Sequence, residues 1–259
     1  MSQMKIGVLI KHVPDTNTRI QLKDGKIDET AIKYVMNPYD EFAVEEAVKT
    51  KEKLGTQGVK VEIVGVCLGP KEASKSLRDA FAVGVDRGIL ILDIERKAAD
   101  PLAVSSALAQ VCRDENFNLI LAGKQAVDTD SHAVAQMLAA RLKMPYVSVV
   151  SKVEIQGVDK LKVERDVEGG VKEIYEIRLP ALLTANKGLN KMRLASLSNI
   201  RKASQKELKE VALPEVKTGY RVTAWSLPAE RGAVKIIEGS PAEQAQKLVQ
   251  ALREEAKVI

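Results

Sequence analysis

The chain has 259 residues, of which 45% are hydrophobic and 29% charged, the composition of an ordinary globular protein. Its formal net charge is +5, but aromatic residues make up only 3% of the chain, too few for a base-stacking surface, so no nucleic-acid partner is expected. No segment approaches the roughly 20 apolar residues that cross a bilayer and no signal-peptide pattern is found, which predicts a cytoplasmic or mitochondrial-matrix location without membrane insertion.

Short apolar runs alternate with helical patterns over the first 150 residues, and this alternation is typical of a parallel sheet with crossover helices. Five runs rich in Ile, Val and Leu are predicted as strands covered on both faces. They span residues 5–11, 59–66, 88–92, 117–122 and 147–150. A hairpin that turns at Asp24-Gly25 is predicted over residues 20–27. The predicted fold class is therefore α/β, with a mostly parallel sheet and helices on both faces.

Four helices are predicted between these strands. Two begin where a capping side chain precedes a proline, at Asn37-Pro38 and at Asp100-Pro101. They are expected to run to about residues 54 and 112. The other two are predicted over residues 71–82 and 131–142.

The pattern changes after residue 150. Short runs at residues 152–155, 161–166, 172–177 and 181–184, separated by glycine turns, predict an antiparallel extension of the sheet. Residues 187–205 have neither a helical nor a strand period, which predicts a long functional loop. An extended crossing is expected over residues 213–228, and residues 241–257 predict an amphipathic docking helix, a C-terminal helical arm.

Ligands of open α/β sheets bind beyond the carboxyl ends of the strands, where loops and helix N-termini present backbone N–H groups. Three segments are expected to meet there, at residues 9–13, 37–40 and 123–131. The last, GKQAVDTDS, either holds a phosphate at the start of the next helix or is an ordinary capped turn, and local sequence leaves both open. Neither a P-loop nor a GxGxxG motif is present, so those fingerprints are excluded.

The titratable residues near these segments favour structural roles. Asp128 and Asp130 are conceivable metal ligands, but capping of the next helix accounts for them without a set of histidine partners. His12 and His132 stand beside no nucleophile motif, which favours a polar or helix-start role over catalysis. Since no catalytic constellation is found, any chemistry has to come from a bound cofactor, and we expect a carrier rather than an enzyme.

Two long runs resemble the signature region of electron-transferring flavoprotein β-subunits. They are VERDVEGG at residues 163–170 and LPALLTANKGLNKMRLASLSNI at residues 179–200. The shorter runs MNPY at 36–39, AVEEA at 43–47 and GKQA at 123–126 are also similar, so the resemblance covers nearly the whole chain. In that family the β-subunit pairs with an α-subunit that holds most of an FAD. The heterodimer carries electrons from dehydrogenases, such as acyl-CoA dehydrogenases, to a membrane quinone oxidoreductase.

The resemblance implies that this chain holds a structural AMP and helps to position the FAD of the α-subunit. The implied cofactor-binding residues are Leu9, Asn37, Pro38, Tyr39, Asp40, Leu68, Gly123, Lys124, Gln125, Ala126, Val127, Asp128, Thr129, Asp130, Ser131, His132, Ala133 and Val134. Among these, Tyr39 is implied as the contact to the flavin, with packing at the start of a helix as the alternative.

Partner contacts are implied in the same way. The implied residues are Arg165, Asp166, Arg193, Leu194, Ala195, Ser196, Leu197, Ser198, Asn199 and Ile200. Leu197 occupies the position of the family's anchoring leucine, which inserts into an apolar pocket of the partner dehydrogenase. Arg165 and Asp166 match a charged pair that holds the mobile domain of the α-subunit by an ion pair. Met192 and Ser198 stand where relatives often have proline, which bears on the dehydrogenase that is recognised.

The resemblance also implies a division of the chain into three parts. Residues 1–186 are expected to form a nucleotide-binding α/β domain with the antiparallel extension, residues 187–205 a partner-recognition loop, and residues 206–259 an extended crossing with the docking helix. A bifurcating flavoprotein subunit, which binds a second FAD and oxidises NADH, is the alternative, although such proteins tend to have glycine where Thr129 stands. A stand-alone adenine-nucleotide hydrolase or ligase requires a catalytic phosphate-handling motif that is not found.

Overall fold

The computed structural model describes residues 3–95, 98, 100–229 and 232–259. The strands are, in chain order, β1 (Gln3–Ile10), β2 (His12–Pro14), β3 (Leu22–Lys23), β4 (Lys26–Ile27), β5 (Tyr34–Met36), β6 (Lys60–Gly69), β7 (Arg87–Leu92), β8 (Leu119–Gly123), β9 (Tyr146–Ile155), β10 (Lys160–Asp166), β11 (Lys172–Arg178), β12 (Ala181–Ala185) and β13 (Leu208–Ala212). The helices are α1 (Pro38–Gly55), α2 (Ser74–Val83), α3 (Pro101–Glu115), α4 (Ala133–Leu142), α5 (Leu197–Ala203) and α6 (Pro241–Glu254).

One large sheet organises the described residues, with the strand order β11-β10-β9-β12-β8-β1-β6-β7-β13. Every pair from β9 to β13 along this order is parallel, whereas β10 pairs antiparallel with both β9 and β11. The α/β prediction with an antiparallel extension is confirmed. The predicted hairpin is confirmed as well: β3 and β4 pair through Asp24 and Gly25, both at positive φ, as a two-residue hairpin turn requires.

Helices cover both faces of the sheet, as predicted. Because side chains alternate along a strand, Ile6, Val8 and Ile10 of β1 join the core under α1 and α2, whereas Leu9 joins the core under α3 and α4. The same alternation divides β8 between the two cores. Helices on both faces thus require these strands to be apolar at every position, and this continuous apolar pattern is what predicted them.

The assignment of residues 181–184 to the antiparallel extension was wrong. These residues form β12, which lies in the middle of the sheet, parallel to both β8 and β9. All five of its residues are buried, so the segment Ala181–Ala185 is a core strand rather than an edge strand. The two runs predicted at 147–150 and 152–155 are also one strand, β9, and its pairings with β10 and β12 each show a register shift.

Two regular elements were missed in and after the predicted loop. Residues 187–205 contain the short helix α5, whose first turn is capped by the Ser196 hydroxyl accepting from the Asn199 N–H at 3.2 Å. Seven residues are too few for a helical period to be recognised. Residues 208–212 form β13, which pairs in parallel with β7 at the end of the sheet. Its mixed sequence LKEVA reflects an edge strand with a half-exposed face.

The chain divides into two compact units, residues 1–225 and residues 226–259. The second unit contains α6, whose start is fixed by a capping box between Ser240 and Glu243. Leu248 and Val249 of this helix are exposed within the chain. None of the helices in the described residues has the length and apolar content that a membrane crossing needs.

Candidate functional site

A crevice opens where the order of the sheet reverses. In the sheet, β6 and then β7 lie on one side of β1, and β8, which comes later in the chain, lies on the other side of β1. The helices that follow β1 and β8, α1 and α4, cover opposite faces of the sheet. Because the two connections diverge, the carboxyl ends of β1 and β8 leave a crevice between them, the usual place for a ligand in such a sheet.

Asp40 joins the three segments that were expected to meet at this edge. Its Oδ2 accepts a hydrogen bond from the Lys11 backbone N–H at 2.7 Å. Its Oδ1 accepts from the Gly123 backbone N–H at 3.0 Å and from the Asn37 side-chain Nδ2 at 2.9 Å. The ends of β1 and β8 and the start of α1 are therefore held by one buried carboxyl group.

The predicted capping role of Asn37 was wrong. Its side chain makes no capping hydrogen bond to α1. Instead, Nδ2 also donates to the Gln125 carbonyl at 2.9 Å, and Oδ1 accepts from the Val127 N–H at 3.1 Å. An amide can donate and accept at once, so Asn37 satisfies buried backbone groups of the loop after β8, a role that local sequence does not reveal.

Burial governs the electrostatics beneath the crevice. It raises the pKa of the Asp40 carboxyl to about 7, because desolvation outweighs the hydrogen bonds from Lys11, Asn37 and Gly123. Burial likewise raises the pKa of the Cys67 thiol to about 12, with a smaller contribution from the charge of Asp40. A thiol with this pKa is inert at neutral pH, so Cys67 offers no nucleophile to the crevice.

Gly123 packs closely against the start of α1. A Cβ at this position would lie 2.6 Å from the Tyr39 Cβ and 2.7 Å from the Tyr39 carbonyl carbon. Such distances do not occur between real atoms, so any side chain at residue 123 would displace the start of α1. Glycine after β8 was expected to let the backbone approach a ligand, but packing against Tyr39 within the chain already requires a glycine here.

Charged and polar side chains line the mouth of the crevice. Lys11 Nζ donates to both oxygens of Asp128, at 2.8 and 2.7 Å. Lys124 Nζ lies 5.2 Å from the centre of the Tyr39 ring, and Gln125 donates to Asp130 at 2.8 Å. Lys11 and Lys124 place two cations at this edge of the sheet, which suits the binding of a phosphate group. Sequence reasoning missed Lys11 as a site residue, although its position directly after β1 was a usable signal.

The aspartates after β8 do not cap the following helix, contrary to the expectation. α4 begins after His132, which makes no side-chain cap, and the nearest substitute is a 3.4 Å hydrogen bond from the Ala133 N–H to the Ser131 hydroxyl. Asp128 and Asp130 instead bind Lys11 and Gln125, side chains within reach only in the folded loop. No group of three His, Cys, Asp or Glu side chains in the described part of the chain is arranged to hold a metal ion.

The remaining predicted cofactor residues occupy two settings. Leu9 packs in the core under α3 and α4, and the half-buried Leu68 and Val134 pack against that core, so these three side chains are directed into the fold. Pro38, Thr129 and His132 are exposed.

His12 lies at the start of β2, where its Nδ1 is 2.8 Å from the Ser76 hydroxyl and burial lowers its pKa. This placement gives His12 the structural role that was expected.

Arg165 and Asp166 lie together at the end of β10 with internal partners. The Asp166 carboxylate accepts from the Ser151 hydroxyl at 2.8 Å and the Asn186 amide at 2.9 Å, and Lys172 Nζ lies 3.3 Å away. These interactions lower the pKa of the Asp166 carboxyl group, and the hydrogen bond from Ser151 contributes most. Arg165 faces Glu173 at 3.6 Å. Any ion pair with another subunit has to compete with these contacts.

We call residues 187–205 the recognition segment. Its fixed point is Arg193, whose guanidinium donates to Glu45 at 2.9 and 3.0 Å and to Glu52 at 2.5 and 3.0 Å, both on α1. Asn190 adds hydrogen bonds to Glu46 at 3.0 Å and to the Phe42 carbonyl at 2.9 Å. Arg193, predicted as a partner contact, thus fastens the segment to its own chain.

Three apolar side chains of the recognition segment are exposed. Leu194 is 98% exposed, Leu197 is 79% exposed and Ile200 is 52% exposed. Three neighbouring apolar side chains directed into solvent are unusual on a surface that meets nothing. Leu197, predicted as the anchor, stands at the first position of α5, where the helix fixes its direction.

Two cations fasten the far end of the segment, and sequence reasoning missed both. Arg78 of α2 donates to the carbonyls of Ala203 and Lys206, at 2.8 and 2.7 Å, and so satisfies the C-terminal end of α5. Lys206 Nζ donates in return to the carbonyls of Phe81 and Val85, at 2.9 and 2.6 Å, at the end of α2. The two helices therefore satisfy each other's carbonyl ends.

Comparison with known proteins agrees with this geometry. The family model of the electron transfer flavoprotein domain matches residues 24–216, most of the chain. The chain belongs to the electron transfer flavoprotein family. A Bacillus subtilis relative named electron transfer flavoprotein subunit beta is 41% identical, over 99% of this chain and 100% of its own length. Subunits with the same name from Bradyrhizobium diazoefficiens and Sus scrofa are 39% and 35% identical, also over nearly full lengths. The resemblance to electron-transferring flavoprotein β-subunits, inferred from the signature runs, is confirmed.

Proposed function

We propose that this chain is the β-subunit of a heterodimer that carries electrons from dehydrogenases, such as acyl-CoA dehydrogenases, to a membrane quinone oxidoreductase. It holds a structural AMP in the crevice between β1 and β8 and helps to position the FAD held mostly by the α-subunit. The observation that carries the proposal is the crevice itself, where Asp40 fixes three loops around a mouth lined by Lys11 and Lys124.

The residues of the crevice fit an AMP. A phosphate at the N-terminus of α4 meets backbone N–H groups and the positive end of the helix dipole. Lys11 is already paired with Asp128, so a phosphate competes with that carboxylate for the ammonium group.

FAD, when bound, would supply the electron-transfer chemistry. Tyr39 is half-buried at the start of α1 and carries Lys124 over its ring, so an aromatic face and a cation are presented together. In the proposed heterodimer this pair lies beside the flavin, and the recognition segment, with Leu197 as anchor, contacts the dehydrogenase.

The test is to co-express the chain with its candidate α-subunit, purify the complex, release the bound nucleotides and quantify AMP and FAD per heterodimer. One AMP and one FAD are expected. The Lys11→Ala variant should retain FAD and lose AMP, whereas Lys26→Ala, at the exposed hairpin, should retain both.

Other outcomes would replace the proposal. Two FAD and no AMP, with flavin reduction by NADH, would identify a bifurcating flavoprotein. Failure to form any heterodimer would leave the carrier function without support. Turnover of an adenine nucleotide by the chain alone would favour the hydrolase or ligase alternative.

A further inference from the structure

A groove of about 540 Å³ lies beside the recognition segment, between α1, α2 and α5. Ala82, Val83 and Ala203 contribute buried apolar surface to it, and Met192 is half-buried there. The exposed side chains of Leu194 and Ile200 line the same groove. The groove is therefore continuous with the apolar surface of the recognition segment.

Two carboxylates face this apolar lining. Glu41 comes from α1 and Asp79 from α2. Within the described residues, neither has a hydrogen bond or ion pair with a side chain, and Lys75 acts on Asp79 only at longer range. The pKa of Glu41 is raised by partial burial and then by the charge of Asp79, and the pKa of Asp79 is raised by burial. Two unpaired carboxylates near each other are better accommodated when a cation lies between them.

The arginines that also line the groove are engaged elsewhere. Arg193 is bound to Glu45 and Glu52, and Arg78 donates to the carbonyl groups at the end of α5. Arg78 also lies over the Phe81 ring, 5.4 Å from its centre. Neither arginine makes an ion pair with Glu41 or Asp79, so the carboxylates remain free to bind a cation from outside.

We propose that this groove receives a segment of the partner dehydrogenase in which a Lys or Arg stands next to an apolar side chain. The long stem of Lys or Arg packs on the apolar lining, and its charged end reaches Glu41 and Asp79. Leu197 then enters the partner while the partner enters the groove, which makes the contact reciprocal. The inference rests on the proposed function and identifies the chemistry of its partner.

The experiment uses the FAD-loaded heterodimer and, as the probe, an acyl-CoA dehydrogenase reduced by its acyl-CoA substrate. The rate of flavin reduction is measured against heterodimer concentration for Glu41→Gln with Asp79→Asn, for Asp79→Lys, for Leu197→Ala and for the control Asp114→Lys. Asp114 is exposed on α3, on the opposite face of the sheet, so it matches the charge change without touching the groove.

The double variant should raise KM by about fivefold with kcat unchanged, and Asp79→Lys should raise it further. The salt dependence of KM should become weaker in both, while Asp114→Lys should behave as the wild type. Equal AMP and FAD contents in all variants establish that they are folded.

The possible failures are distinguishable. If Leu197→Ala raises KM but the groove variants do not, the groove proposal is overturned and the carrier function stands. If Asp114→Lys raises KM as much as Asp79→Lys, the net charge of the heterodimer rather than the groove determines KM, and the proposal is again overturned. If the wild-type heterodimer is not reduced at all, the proposed function itself fails.

Discussion

The crevice and the recognition segment are held by different kinds of interaction. At the crevice, the buried side chains of Asp40 and Asn37 bind backbone groups of the surrounding loops. The recognition segment is held by long charged side chains at the surface, above all Arg193 and Arg78. The first arrangement fixes the shape of the candidate site, whereas the second fixes only the ends of a segment and leaves three of its apolar side chains exposed.

Asp40→Ala should have the largest effect on stability. It leaves the Lys11 and Gly123 N–H groups and the Asn37 amide without their acceptor, and the expected loss is about 3 kcal/mol or more of the free energy of unfolding. Denaturant unfolding measures the loss, and Asp40→Asn, which keeps the volume and one oxygen, should lose less. A loss below about 1 kcal/mol for Asp40→Ala would mean that Asp40 does not hold the loops.

Gly123→Ala should cost about 1–3 kcal/mol, because its Cβ collides with the backbone of Tyr39 and α1 has to move. The amount of bound nucleotide per heterodimer should fall together with the stability. The matched control is Gly55→Ala at the end of α1, where a Cβ meets nothing within 4 Å. The control should be as stable as the wild type or slightly more so, and equal losses in the two variants would contradict the packing argument.

The pH dependence of stability should reveal the protonation of Asp40. Because its pKa is raised from 3.8 to about 7 in the fold, the folded protein keeps a proton between these values that the unfolded chain releases. Relative to Asp40→Asn, the free energy of unfolding should therefore fall as pH rises from 4 to 7, by up to about 1.4 kcal/mol per pH unit. Denaturant titrations at several pH values measure the difference. A difference that increases with pH would show that the folded state favours the carboxylate.

Arg193→Met should have the smallest effect, about 1–2 kcal/mol, because water screens the pair with exposed Glu52, whereas buried Glu45 loses its partner. Methionine retains most of the apolar stem, so the change reports on the charge. Added salt should reduce the difference in the free energy of unfolding between this variant and the wild type. Arg201→Met on the exposed face of α5 serves as the control and should be neutral; a loss as large as that of Arg193→Met would argue against the fastening role.

The sequence was most informative where a single local signal determines the structure. Continuous apolar runs identified the strands around β1 and β8, and Asp24-Gly25 identified the hairpin, because the side-chain period and the turn geometry are local properties. β12 was misplaced because a short buried strand has the same sequence in a parallel or an antiparallel setting. The pairing partner is decided by the fold.

The site was predictable in position and only partly in mechanism. The carboxyl ends of β1 and β8 indicated where the three segments meet, whereas Gly123, expected to face a ligand, packs against Tyr39. The roles of Asn37, Lys11 and Arg193 depended on partners 90, 117 and 148 residues away along the chain, which no local pattern encodes. Long-range hydrogen bonds of this kind become visible only in the folded protein.

The burial pattern of the recognition segment has a consequence for how binding preference can evolve. Leu189, Met192, Ala195 and Ala203 pack against the core, while Leu194, Leu197 and Ile200 between them do not. Mutations at the outward positions can therefore accumulate with little effect on folding, since no core contact is lost. If the recognition segment contacts the dehydrogenase as proposed, one inherited scaffold can serve different electron donors by drift at three sites, without a compensating change in the crevice between β1 and β8.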